Sequence, residues 1–337
     1  MKRIQLVLLG LFVMVATNAR AQGKALELIH TTPLPELHDG DFDHAAIDLK
    51  GHRLFFAAEE NSKVLVFDTN TNQLIHTFTD MKAPHSIVYR PGINKLFIVD
   101  GEASEIKIYQ GDTYRRIGQI PLSIDCDSMA YDPATKYMYV VNGGREAHTP
   151  YSLISIIDTT TAKKLGDIKI NSNRVEALAL EKSGDRLYCN ITGENAVGEI
   201  DRKKRVLMAT WPIASQGKQN VPLAYDEADH RLFVVTREPG KLIVLDSDSG
   251  KVVTSMTCVG FADDAVYDPG SKRIYVAGDG HVDVFAQKDA DHYTLLESVP
   301  GSFRAKTALL VPQLHRYYLG VAHHDGHSAA LRVYKVL

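Results

Sequence analysis

The chain has 337 residues, a formal charge of −3, 45% hydrophobic residues and 23% charged ones. That balance supports a sizeable core and excludes a disordered chain. It also lacks the strongly basic surface that phosphate-dominated nucleic-acid binding needs.

The N-terminus reads as a targeting segment. Lys2 and Arg3 precede an apolar run from Ile4 to Ala16, and Ala19-Arg20-Ala21 sets small residues at the two positions a signal peptidase reads. Residues 1–21 are expected to be a signal peptide cleaved after Ala21, with an uncleaved anchor as the alternative; the run is short for a membrane span. Losing Lys2, Arg3 and Arg20 without an acid takes the formal charge from −3 to −6. The expected product is a single domain over residues 22–337, periplasmic or secreted and monomeric. It is expected to have no transmembrane segment and no nucleic-acid partner.

Seven copies of one pattern follow. Their first strands open at His44, His85, Asp127, Glu176, Val221, Asp263 and Lys306, spaced 41, 42, 49, 45, 42 and 43 residues apart. Each copy gives a short strand A, a turn such as Tyr131-Asp132-Pro133 or Tyr267-Asp268-Pro269, and a strongly apolar strand B such as Arg53-Leu-Phe-Phe-Ala. An alternating strand C then ends in Asp, as at Asp68 and Asp246, and a polar turn leads into strand D. No stretch has helical periodicity. A period near forty built from short strands predicts an all-β fold, a seven-bladed β-propeller of four-stranded blades. The last copy stops after its strand C, Leu331 to Leu337, while Glu27-Leu-Ile-His-Thr31 matches the strand D Gln73-Leu-Ile-His-Thr77 but has no blade of its own. Residues 26–32 are therefore expected to complete the last blade and close the ring.

Several of these segments carry a family likeness. Tyr137-Met-Tyr-Val-Val-Asn142 and Arg273-Ile-Tyr-Val-Ala, with the strands ending at Asp158 and Asp246, look like the YVTN-type repeat. Phe42-Asp43-His44 and the stretch from Asp226 to Phe233 add to it, and residues 26–337 resemble exported YVTN-repeat (YncE-like) seven-bladed propellers. The resemblance implies the fold; propellers host unrelated activities, so it implies no particular chemistry.

In a propeller strand A lines the central channel, which puts the seven opening residues at one mouth of it. Six of the seven are ionisable, and Asp43, Arg174, Asn220, Asp264 and Arg304 are their neighbours. The loops joining strands B and C belong to the same face, among them Glu59-Glu60, Asp100-Gly-Glu102, Arg237 and His323-His324-Asp325-Gly-His327. Three readings compete. Polar side chains can simply solvate a wet channel end. The mouth can instead bind a small polar ligand, or a protein partner, through His44, His85, Asp127, Glu176, Asp263, Arg304 and Lys306. Third, His44, His85 and Asp127 or Asp263 can hold a divalent metal; His323, His324 or His327 is expected near His44 and His85.

Catalysis has two possible routes here. A lactonase-like or metal-dependent hydrolase would use Glu176 or Asp263 to activate water and Arg304 or Lys306 to steady an oxyanion. Cys126, beside Asp127, would need a base such as His85 and a lowered pKa to act as a nucleophile. Cys189 and Cys258 read as small buried sheet residues, and no CxxC or CxxCH spacing marks a disulfide framework, zinc or haem site. A GxSxG elbow, a P-loop and a dinucleotide fingerprint are absent. Trp211 is the lone tryptophan, against the repeated Trp motif of quinone-binding propellers. The expected role is therefore ligand or partner binding without demonstrable catalysis, with an interaction scaffold as a further alternative.

Overall fold

The computed structural model describes residues 23–337, so the expected signal peptide and its cleavage point lie outside the described residues. Within them, twenty-eight strands form seven four-stranded antiparallel sheets, and the helical content is four 3-10 turns of three residues each. Six sheets use consecutive strands. The seventh adds Leu26–Leu34 to the outer edge of Ala329–Val336, in register from Leu26 opposite Val336 to Leu34 opposite Ala329. The expected closure is observed and runs two residues further, with a register shift between Leu28 and His30. Among the described residues no helix is long and apolar enough to cross a membrane.

The continuous apolar runs of strand B have a simple cause. Side chains alternate between the two faces of a strand, and every blade packs a neighbour on each face. In Arg53–Ala58, Leu54 and Phe56 pack against Val311, Tyr318 and Leu331 of blade seven, while Phe55 and Ala57 pack against Ile87 and Leu96 of blade two. Neither face meets water, so alternation of polarity disappears. The core is accordingly divided into seven wedges, one at each seam between blades. Each wedge buries several large side chains at about 1.5–3 kcal/mol apiece.

Repeated aspartates hold the turns. Asp132 accepts the Ala134 amide at 2.8 Å and the Thr135 hydroxyl at 2.8 Å, and Asp226 and Asp268 accept the amides of Ala228 and Gly270. Asp68, Asp158 and Asp246 do the same between strands C and D. His52, His230 and His315 sit just before strand B with φ of +53°, +54° and +50°. Histidine tolerates that left-handed conformation better than most residues, which accounts for these three as turn residues away from the mouth.

Candidate functional site

Because every strand A runs beside the channel, the residues at or near its start are delivered to one end of it. All seven opening residues, His44, His85, Asp127, Glu176, Val221, Asp263 and Lys306, line a single cavity of about 180 Å³. Glu59 joins them from the turn between strands B and C, Arg237 from the end of the strand B Arg231–Glu238, and Asp43 and Arg174 from the segments leading into strand A. An adjoining chamber of about 240 Å³ lies along the channel, where Ile87, Met129, Leu178 and Leu223 give it an apolar wall.

The charges divide into two arcs. On the side of blades four to seven they pair with one another. Arg237 donates from Nη2 to Asp263 Oδ1 at 2.5 Å and from Nε to the Ala262 carbonyl at 2.9 Å. Lys306 Nζ lies between Asp263 Oδ2 at 2.5 Å and Asp41 Oδ2 at 3.0 Å. Burial opposes the Lys306 charge, but those two carboxylates outweigh it and hold the ammonium above its usual pKa. Arg174 donates from Nε to Glu176 Oε1 at 2.9 Å.

Blades one to three make the other arc from imidazoles and carboxylates. Asp43 stands between two rings, with Oδ2 2.5 Å from His85 Nδ1 and Oδ1 3.4 Å from His44 Nε2. His44 Nδ1 lies 3.2 Å from Asp264, and His85 Nδ1 lies 3.5 Å from Asp127. Burial would raise the Asp43 pKa, yet the His44 charge and the hydrogen bond from His85 carry it below the usual carboxylate range. Burial likewise disfavours charged imidazoles, but the surrounding carboxylates lift His85 to about 10 and His44 well above its usual value. Burial pushes Asp127 up to about 8 and Glu59 up to about 7, against the pull of His85.

Several expectations need correction. Arg304 does not line the cavity: its Nη2 reaches Asp41 at 2.5 Å and stands 3.8 Å from Glu60, because its loop turns the side chain toward blade one. The histidines of the last long loop are also elsewhere. His323 pairs with Asp39, and His324 stacks on Phe303 with ring centroids 3.9 Å apart; neither they nor His327 line the mouth. The metal trio of His44, His85 and Asp127 is regrouped, since Asp43 sits between the rings. The sets with ligand atoms within 4.8 Å of one another are Asp43 with His44 and Asp127, and Asp43 with Glu59 and His85.

Cys126 is buried, donates to the Asp100 carbonyl, and burial pushes its thiol up to about 12, the reverse of an activated nucleophile. Asp100 belongs to the scaffold: it is fully buried, 2.8 Å from Lys107, and accepts the amides of Lys82 and Ala83. The proposed water activators Glu176 and Asp263 both sit in guanidinium pairs. Asp41 went unnoticed in the sequence. Its partner Arg304 is 263 positions away, and only ring closure brings the two together.

No family model matches the chain. It is similar to proteins described as uncharacterized protein YncE, 26% identical over 150 residues in Salmonella typhi and 27% over 130 residues in Salmonella typhimurium. These matches take in 43% and 37% of this chain but 40% and 34% of the relatives' own length. Among solved structures, Kuenenia stuttgartiensis hydrazine synthase superposes with a TM-score of 0.73 at 14% identity, covering 88% of this chain and 96% of that one. A chain of a mitotic checkpoint complex gives 0.72 at 13% identity, covering 99% of each. Identities that low carry the fold alone. The seven closed four-stranded blades make this chain a seven-bladed β-propeller, and part of it is similar in sequence to YncE proteins.

Proposed function

We propose that the protein is a binding protein that takes a small polar ligand bearing an anionic group into the channel mouth. One observation carries this reading: three fixed cations, Arg174, Arg237 and Lys306, face the same 180 Å³ cavity with hydrogen-bonding capacity to spare. A guanidinium has five N–H donors. Arg174 spends only its Nε on the protein, and Arg237 leaves Nη1 unspent among the described residues. Their own carboxylate partners fix both groups in place, so an incoming carboxylate or phosphate meets preorganised forks. The apolar part of the adjoining chamber wall, Ile87, Met129, Leu178 and Leu223, suits a short hydrocarbon part of the same ligand. With residues 1–21 read as an export signal, the place of action in this proposal is the periplasm or the exterior.

The test is calorimetric titration of the chelator-treated protein with a panel of small carboxylates, amino acids and inorganic phosphate. Arg174→Gln with Arg237→Gln should weaken the best ligand at least tenfold, about 1.4 kcal/mol, while the far-UV spectrum stays unchanged. Undiminished affinity in that folded double variant would refute the proposal.

A further inference from the structure

The imidazole arc holds a feature that anion binding does not use. His85 stands in the wall between the mouth and a groove of about 440 Å³ on the same face. Its Nδ1 is fixed by Asp43 at 2.5 Å, whereas its Nε2 makes no hydrogen bond among the described residues. Glu59 Oε1 lies across from Nε2 at 3.9 Å. That gap is too wide for a hydrogen bond and suits two ligands each about 2.0–2.2 Å from a shared ion. Space beside Nε2 is kept open by Gly101, where a Cβ would stand 2.7 Å from that nitrogen and 3.1 Å from the Cys126 carbonyl oxygen.

A carboxylate on one ring nitrogen, with the other nitrogen free and a second carboxylate across from it, is how proteins orient imidazole ligands for a metal. Among the described residues no lysine or arginine nitrogen comes within 4.0 Å of the carboxylates of Asp43, Glu59 or Asp127. The rival set around His44 is worse placed, since both its ring nitrogens already face carboxylates, at 3.4 Å and 3.2 Å.

We propose that this corner binds one divalent cation, with His85 Nε2 and Glu59 as its protein ligands and Asp43, on Nδ1, orienting the imidazole. One ligand atom from each of the three residues falls within 4.8 Å of the others. Mixed imidazole and carboxylate donors select zinc or manganese over calcium or magnesium. The inference stands apart from the anion reading, which depends on the opposite arc and is tested on metal-free protein.

Metal-free protein is titrated with Zn²⁺ and with Mn²⁺ by calorimetry, and bound metal is counted by elemental analysis after gel filtration. One ion per chain is expected. His85→Gln and Glu59→Gln should each weaken binding at least tenfold. Gly101→Ala, which keeps every ligand but crowds Nε2, should weaken it as well. Melting curves identify any variant that has lost its fold, and the remaining variants then decide. Failure of the wild type to bind either ion at 1 mM overturns the proposal. So does loss of the ion in His44→Gln with retention in His85→Gln, or retention in both His85→Gln and Glu59→Gln.

Discussion

Removing the two buried anchors of the closing strand should destabilise the whole ring. Leu26 is 2% exposed and packs in the seam between blades six and seven with Tyr275, Val284 and Tyr334. Leu34 is 5% exposed and packs in the next seam, between blades seven and one, with Phe42, Leu54 and Leu331. One nine-residue strand thus pins both sides of the last blade. A buried Leu→Ala substitution costs about 2.7–5 kcal/mol. The two sites lie in separate clusters, so their costs should add, to roughly 5 kcal/mol at the low end. At about 2.1 cal/mol/K per residue over roughly 315 residues, 1 kcal/mol moves Tm by about 1.5 °C. Leu26→Ala with Leu34→Ala should therefore lower Tm by about 8 °C in a thermal melt. The control is Leu28→Ala with Ile29→Ala on the same strand, where the side chains are 51% and 43% exposed and each change should stay within about 0.5 kcal/mol. If the two double variants melt within about 2 °C of one another, the closing strand is not what holds the ring.

Acid should weaken a different part of the molecule, the buried Asp132–Arg202 pair, whose nearest atoms are 2.7 Å apart. Burial works against the Asp132 carboxylate, but the Thr135 hydroxyl, the Ala134 amide and Arg202 hold its pKa below the usual value. A folded pKa below the unfolded one gives stability that is complete above about pH 4 and fades as pH falls through the folded value. Asp132→Asn should cost about 3 kcal/mol at pH 7, and its Tm deficit should shrink below about pH 4; a deficit that is constant with pH contradicts the assignment. The three buried free cysteines should be inert in the native state, because burial pushes the thiols of Cys126 and Cys189 up to about 12 and raises Cys258 further. A colorimetric thiol reagent at pH 8 should react with none of them before unfolding and with all three in urea, and prompt native reaction at Cys126 would revive it as a nucleophile.

Blade boundaries were legible because each blade must solve the same local problem. Tyr131-Asp132-Pro133 and Tyr267-Asp268-Pro269 announce turns whose aspartates bond their own backbone, and Leu54 to Ala58 announces a strand buried on both faces. The mouth was legible in composition for the same reason, since the repeat places one residue per blade at the channel end. Pairing was not legible. Asp41 meets Lys306, and Arg304 turns toward Asp41, only because blade seven closes on blade one. His323 lies in the right loop on the right face, yet the parallel bridge with Asp39 holds it at the rim. A repeat fixes how far along the channel a residue sits; which side chains meet across a seam depends on loop conformations that do not repeat.

That distinction bears on why the two arcs of the mouth call for different partners. Along the basic arc each carboxylate already has a guanidinium or ammonium within hydrogen-bonding distance: Glu176 with Arg174, Asp263 with Arg237 and Lys306, Asp41 with Lys306 and Arg304. Folding alone pairs these charges, although Asp41 Oδ1 stays buried without a hydrogen bond among the described residues, and the donors left over on Arg174 and Arg237 are free for the proposed anion. Along the imidazole arc Asp43, Asp127 and Glu59 share two histidines, and Glu59 stands 3.9 Å from His85 Nε2, too far for a hydrogen bond. Charge in a confined cavity has to be neutralised. Here folding leaves that to bound protons or to a cation from outside. One half of the mouth thus has its charges paired as built, which is the half the proposed anion would use, while the other half is incomplete as built. A ligand with a single type of charge would use only one of them.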